Sequence, residues 1–119
     1  MNRPPIVDLS LELLATLGNV RSRRMFGGWG LYAGDAFVAL ILNEQLYLKT
    51  RPETASVFAA AGCQPFTYSA KGRTVTIGFW SAPAEAMDSP ASMEPWARLA
   101  LQAALAGRST GAARRRRSS

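Results

Sequence analysis

The 119-residue chain has no histidine and a single cysteine, Cys63. These absences exclude an internal disulfide framework and remove most of the usual zinc ligands. They also remove the usual general base, so Cys63 has no histidine to activate it as a nucleophile. No motif of paired carboxylates stands in for one. Asp35 and Glu44 fall in turn-like segments and Glu85 and Asp88 in a loop-like one, where acids are ordinary. No apolar run approaches the roughly 18 residues that span a bilayer, and the opening Met-Asn-Arg-Pro-Pro is unlike a secretory signal. The chain therefore reads as a cytoplasmic, non-catalytic protein without a cofactor, a metal or a membrane partner.

Acids are scarce in one place in particular. The chain carries 14 Lys and Arg against 8 Asp and Glu, a net charge of +6. Five of the arginines, Arg108 and Arg114 to Arg117, lie in the last twelve residues, which hold no acid. The remaining nine bases and eight acids give residues 1–107 a net charge of +1. The basicity belongs to the tail, so a general nucleic-acid-binding surface does not follow from it. The expected organisation is one domain over 1–107 and a disordered arginine-rich tail over 108–119.

What is present suits a packed domain, since 48% of the residues are hydrophobic. Ile6, Leu9, Leu13 and Leu17, with Leu14 beside them, recur at helical spacing after Pro4-Pro5, which predicts a helix over 5–17 stopped by Gly18-Asn19. A glycine-interrupted strand follows over 21–32, then strands over 36–42 and 45–49, joined by the turns Ala33-Gly34-Asp35 and Asn43-Glu44. Pro52 opens a short helix that ends before Gly62. Strands over 66–69 and 73–80 flank Ala70-Lys71-Gly72, with Val75, Ile77 and Phe79 forming one buried face. The last helix runs to about residue 106, starting either at Ser89-Pro90 or, with Ser92 as cap, at Pro95. The predicted fold is α+β, in the order α-β-β-β-α-β-β-α, with one mostly antiparallel five-stranded sheet and helices packed on it.

The segment Arg24-Met25-Phe26-Gly27-Gly28-Trp29-Gly30-Leu31-Tyr32 is the most distinctive in the chain. It resembles the signature of the TfoX N-terminal domain family, associated with regulators of bacterial competence for DNA uptake. Leu46-Tyr47-Leu48-Lys49, Ala61-Gly62-Cys63-Gln64-Pro65-Phe66-Thr67-Tyr68, Ala82-Pro83 and Trp96-Ala97-Arg98-Leu99-Ala100 match further family segments in order. The resemblance implies an α+β domain with a regulatory role. Two positions depart from the family pattern: Arg51 stands where an acid is usual, and Ile77-Gly78-Phe79-Trp80 replaces Met-x-Tyr-Tyr. Competence regulators of the family carry a second, C-terminal domain, where this chain has its arginine-rich tail.

Two readings attach to each distinctive group. The glycines around Trp29 either relieve a bulge under a packed helix or expose Phe26, Trp29 and Tyr32 along a groove for a partner. Arg21, Arg23 and Arg24 are either solvated edge charges or, with Lys49 and Arg51, a basic patch if the first and third predicted strands adjoin. Arg114, Arg115, Arg116 and Arg117 either solubilise the end or add salt-sensitive, sequence-independent affinity for nucleic acid. The candidate partner contacts are thus Arg23, Arg24, Phe26, Trp29, Tyr32 and Lys49, and the candidate nucleic-acid contacts Arg21 and Arg114 to Arg117. The expected function is a regulatory or adaptor domain acting through a protein partner, as a monomer or weak homodimer. The alternatives are non-specific nucleic-acid binding through the tail and a small-ligand pocket near Trp29.

Overall fold

In the computed structural model, residues 4–25 and 27–118 are described, with backbone alone at 70, 75, 76 and 107–118. The helix at the start, α1 (Pro5–Leu13), has proline in its first turn and passes into a 3-10 turn at Ala15–Leu17. Its buried stripe is Val7, Ser10 and Leu13, continued by Leu14, which leaves the predicted Leu9 41% exposed. The stripe includes a polar residue, which is why apolar spacing alone placed it one position away. The Ser10 hydroxyl is fully buried and has no hydrogen-bond partner among the described residues.

The single strand expected over 21–32 is two strands, β1 (Val20–Met25) and β2 (Gly28–Ala33). Met25 pairs with Gly28, so the chain reverses between them, and Gly27 supplies a φ of 76° at the reversal. Then follow β3 (Ala36–Leu42), β4 (Gln45–Lys49), α2 (Pro52–Ala60), β5 (Pro65–Ala70), β6 (Arg73–Ser81), a 3-10 segment at Ala84–Asp88 and α3 (Pro90–Ser118). The predicted five strands are therefore six, in the order β1-β2-β3-β4-β6-β5, and every pairing is antiparallel. The α+β class stands.

Ser89 starts α3, its hydroxyl accepting the Ser92 backbone N–H at 3.1 Å, and Pro95 lies inside the helix. The helix continues through Gly107, where the sequence suggested its end, so no break in secondary structure marks that position.

One face of the sheet is covered. α3 lies over β3 and β4, α1 packs beside it against β1 and β4, and Met93, Ala97, Ala100 and Ala104 of α3 pack on Leu31, Val38, Ile41, Leu46 and Leu48. The run of alanines lets α3 approach the sheet closely, because no side chain beyond Cβ separates backbone from strand. Phe58 of α2 is fully buried and meets Trp96 edge-on, with ring centroids 5.0 Å apart. Trp80 and Trp96 sit half-buried at the margin of this core.

The glycines of β2 have a packing reason. A β-carbon on Gly28 would overlap the Ile41 carbonyl oxygen and lie 2.5 Å from Leu42 Cδ2. One on Gly30 would lie 2.7 Å from Met25 Cε and 3.0 Å from Phe37 Cε1. The obstacle at Gly28 is backbone, which cannot rotate away. Gly28→Ala is expected to destabilise the domain by about 2–3 kcal/mol, read as a lower urea midpoint. An unchanged midpoint would contradict the β2–β3 pairing.

Candidate functional site

Strand alternation sends every second side chain to the face opposite the helices, and on this sheet that face is also apolar. Leu31, Ala39, Ile41, Leu46, Leu48 and Trp80 share the helix side by cross-strand register. Tyr32, Phe37, Leu40, Tyr47, Lys49 and Phe79 therefore point the other way. A register shift between Leu31 and Tyr32 leaves Val38 without an opposite residue. Val38 and Ala39 thus both join the helix-side core, while Phe37 and Leu40 face outward. No helix covers this open side among the described residues.

The open face is organised by rings. Tyr32 stacks on Phe37 with centroids 5.0 Å apart, and Phe37 meets Phe79 at 5.1 Å. A cation stands at each end of the row: the Arg21 guanidinium lies 5.9 Å from the Tyr32 centroid, and Lys49 Nζ lies 4.9 Å from that of Phe79. Farther along, Tyr47 meets Phe66 edge-on at 5.0 Å, and Phe66 and Tyr68 are 6.3 Å apart. Between the groups lies a cavity of about 420 Å³ lined by Phe37, Leu40, Leu42, Phe66, Ile77 and Phe79, with Tyr68 contributing the one polar atom among its lining side chains. Tyr68 is 45% exposed and Ile77 37%, both unusual for large apolar residues in strands. The absence of side chains at Gly28 and Gly30 lets Met25, Phe37 and Leu42 lean across β2 and extend the surface.

This arrangement revises two expectations. The alternating face of β6 that carries Ile77 and Phe79 does not meet the helices: Phe79 is covered by neighbouring rings and by Lys49, while Ile77 stays exposed. The proposed basic patch also separates. β1 and β4 are divided by β2 and β3, a gap of roughly 14 Å at the usual strand spacing, so Arg21, Arg23 and Arg24 do not adjoin Lys49. Arg51 is engaged locally, 2.9 Å from Glu53.

The predicted contact residues divide between the faces. Register brings Arg21, Arg23, Tyr32 and Lys49 to the open side. Trp29 packs against the helix-side core, and Arg24 lies over it at 5.6 Å. Phe26 lies outside the described residues, and of Arg114, Arg115, Arg116 and Arg117 the backbone alone is described, in the last turns of α3. Sequence reasoning missed Phe66, Tyr68, Leu42 and Ile77 as surface. The unbroken apolar run at 37–42 was a signal for them, because a strand covered on one side only should alternate.

Cys63 is 6% exposed, just beyond α2. Burial, helped by the nearby Glu85 charge, pushes its thiol above the ordinary value, against a smaller lowering from a hydrogen bond with Ser81. A raised thiol pKa makes it a poor nucleophile near neutral pH.

The TfoX N-terminal domain family matches residues 12–104. The chain belongs to that family. It is 29% identical over 107 residues to Protein Sxy of Escherichia coli (strain K12), a match covering 90% of this chain and 51% of Sxy. It is 31% identical over 77 residues to DNA transformation protein TfoX1 of Aliivibrio fischeri (strain ATCC 700601 / ES114), covering 65% of this chain and 37% of that protein. The chain thus spans about half the length of the first relative and less of the second. Neither relative's name is that of an enzyme. Within this TfoX N-terminal domain no group of three or more His, Cys, Asp or Glu is placed to hold a metal ion among the described residues.

Native Cys63 is expected to react with a maleimide at pH 8 at least tenfold more slowly than in the urea-unfolded chain. Because the unfolded thiol ionises first, the Cys63 contribution to stability is fully present below the ordinary thiol value and is lost as pH rises past it. Equal labelling rates in the two states would show that the site is open.

Proposed function

We propose that this TfoX N-terminal domain is a non-catalytic regulatory module of the competence-regulator type, and that it works by holding a protein partner on its open sheet face. The observation that carries this reading is the uncovered apolar surface around the cavity. A sheet normally buries its apolar faces against another layer. Here one layer of helices serves one face, and the second face keeps exposed Tyr68 and Ile77 beside a row of rings. Large exposed apolar patches of this kind mark interaction sites. The relatives named for transformation and as Sxy support a role in DNA-uptake regulation.

The same geometry gives little support to chemistry. Cys63 lies in the covered region with its thiol pKa raised, and among the described residues the open face holds apolar and cationic groups with no base beside a nucleophile.

Raising the level of the chain in its native host is expected to change transcript levels of DNA-uptake genes several-fold. Ile77→Glu, which charges an exposed position of the face, should abolish that response while leaving the melting temperature within a few degrees. No transcript change with the unaltered chain would sink the regulatory reading, and a full response from the variant would sink the assignment to this face.

A further inference from the structure

The open face differs from the rest of the surface in charge as well as in apolar content. The six strands carry Arg21, Arg23, Arg24, Lys49 and Arg73 and not one acid. All eight acids lie in helices, turns and the 3-10 segment. Four of the five strand cations, Arg21, Arg23, Lys49 and Arg73, occupy positions on the open face by register and alternation. Arg21 approaches Asp35 at 3.9 Å with both side chains largely in solvent, which leaves its charge available. Arg23, Lys49 and Arg73 have no carboxylate partner among the described residues.

Building on the protein-contact reading above, we infer that the partner presents an acidic amphipathic helix, its apolar stripe seated in the cavity and its carboxylates facing Arg21, Arg23 and Lys49. Three features select this occupant. First, the cavity is lined by Leu40, Leu42, Ile77 and phenylalanines, and only Tyr68 brings a polar atom. A nucleobase buried there would leave ring nitrogens and exocyclic groups unpaired, whereas Leu or Phe side chains would lose nothing but water. Tyr32 and Phe37 also stack on each other, and Phe79 and Phe66 are engaged by tilted and edge-on neighbours, which leaves fewer free ring faces for bases.

Second, a second copy of this chain does not fit. Apposing two open faces would bring like charges from Arg21, Arg23, Lys49 and Arg73 together, which repel across an interface. The same cations attract an acidic surface and speed its encounter. Third, an added strand would join an edge, β1 or β5, and leave the face uncovered. A helix covers a face, as α1 and α3 do on the other side, and anchors at i, i+3, i+4 and i+7 match one continuous cavity.

The test is methyl-labelled NMR on the full chain with three probes: an 18-residue designed helix with a Leu/Phe stripe flanked by Glu, the same helix flanked by Lys, and a 20-nucleotide oligothymidine. The Glu-flanked helix is expected to shift the methyl signals of Leu40, Leu42 and Ile77 and to leave Ile41, Leu46 and Leu48 unmoved. Tyr68→Glu and Ile77→Glu, at exposed positions, should each weaken its binding at least tenfold with unchanged circular dichroism. Arg23→Glu combined with Lys49→Glu should reverse the preference to the Lys-flanked helix. Equal binding of the two helices, shifts produced by oligothymidine alone, or no shift with any probe would overturn the inference. A chain that ignores the acidic helix yet loses its transcript response on Ile77→Glu would discard this partner chemistry and keep the regulatory reading.

Discussion

β3 runs through the middle of the sheet with apolar side chains on both faces, and among the described residues helices cover only one of them. The rest of the architecture follows from that imbalance. Alanines on α3 let the helix close over Val38 and Ile41, and the larger Leu13, Leu14, Leu46, Leu48, Phe58 and Met93 fill the rest of the helix-side core. On the other side Phe37 and Leu40 have no layer above them, and the sheet protects them by ring-on-ring packing and by leaning side chains across Gly28 and Gly30. That cover is partial. It leaves a cavity bounded by exposed Tyr68 and Ile77, and an apolar surface of this shape is stabilised further by whatever excludes the remaining water.

Electrostatics divides the molecule along the same line. Acids sit where solvent reaches freely, in turns and helix faces, as Glu94 does in its pair with Arg98 at 2.8 Å. Five cations, and no acid, sit in strands, where long stems can lie over rings while the charge stays wet, as Lys49 does over Phe79. A nearly neutral domain thereby acquires one face of single sign. Net charge over residues 1–107 hides this separation, because it sums over both faces.

Much of the fold was legible in the sequence. Turn residues marked the reversals at Gly34-Asp35, Asn43-Glu44 and Lys71-Gly72, and all three sites have residues with positive φ. Of the two starts the sequence offered for α3, Ser89-Pro90 is the one the structure adopts. The split of residues 21–32 into β1 and β2 was less legible, because an aromatic residue beside Gly27 does not resemble a hairpin turn. The glycines were informative about backbone proximity, yet their reason, the Ile41 carbonyl and the Leu42 and Phe37 side chains, lies on a strand more than five residues away.

The sequence by itself determined the family, the alternation of residues 45–49 and 73–80, the apolar content and the confinement of the +6 charge largely to the last twelve residues. These are properties of local spacing and composition, and they survive whatever the strand order. Only the tertiary structure decided which side of each strand met the helices. That choice depends on register between strands distant in the chain, where Leu48 opposite Trp80 sends Lys49 and Phe79 outward together. It separated Trp29 from Tyr32, moved Lys49 away from the β1 arginines, and joined Phe66, Tyr68 and Ile77 to Phe37 around one cavity. A one-residue change of register would have turned each of those side chains to the other face, so no single strand's pattern could have assembled the site.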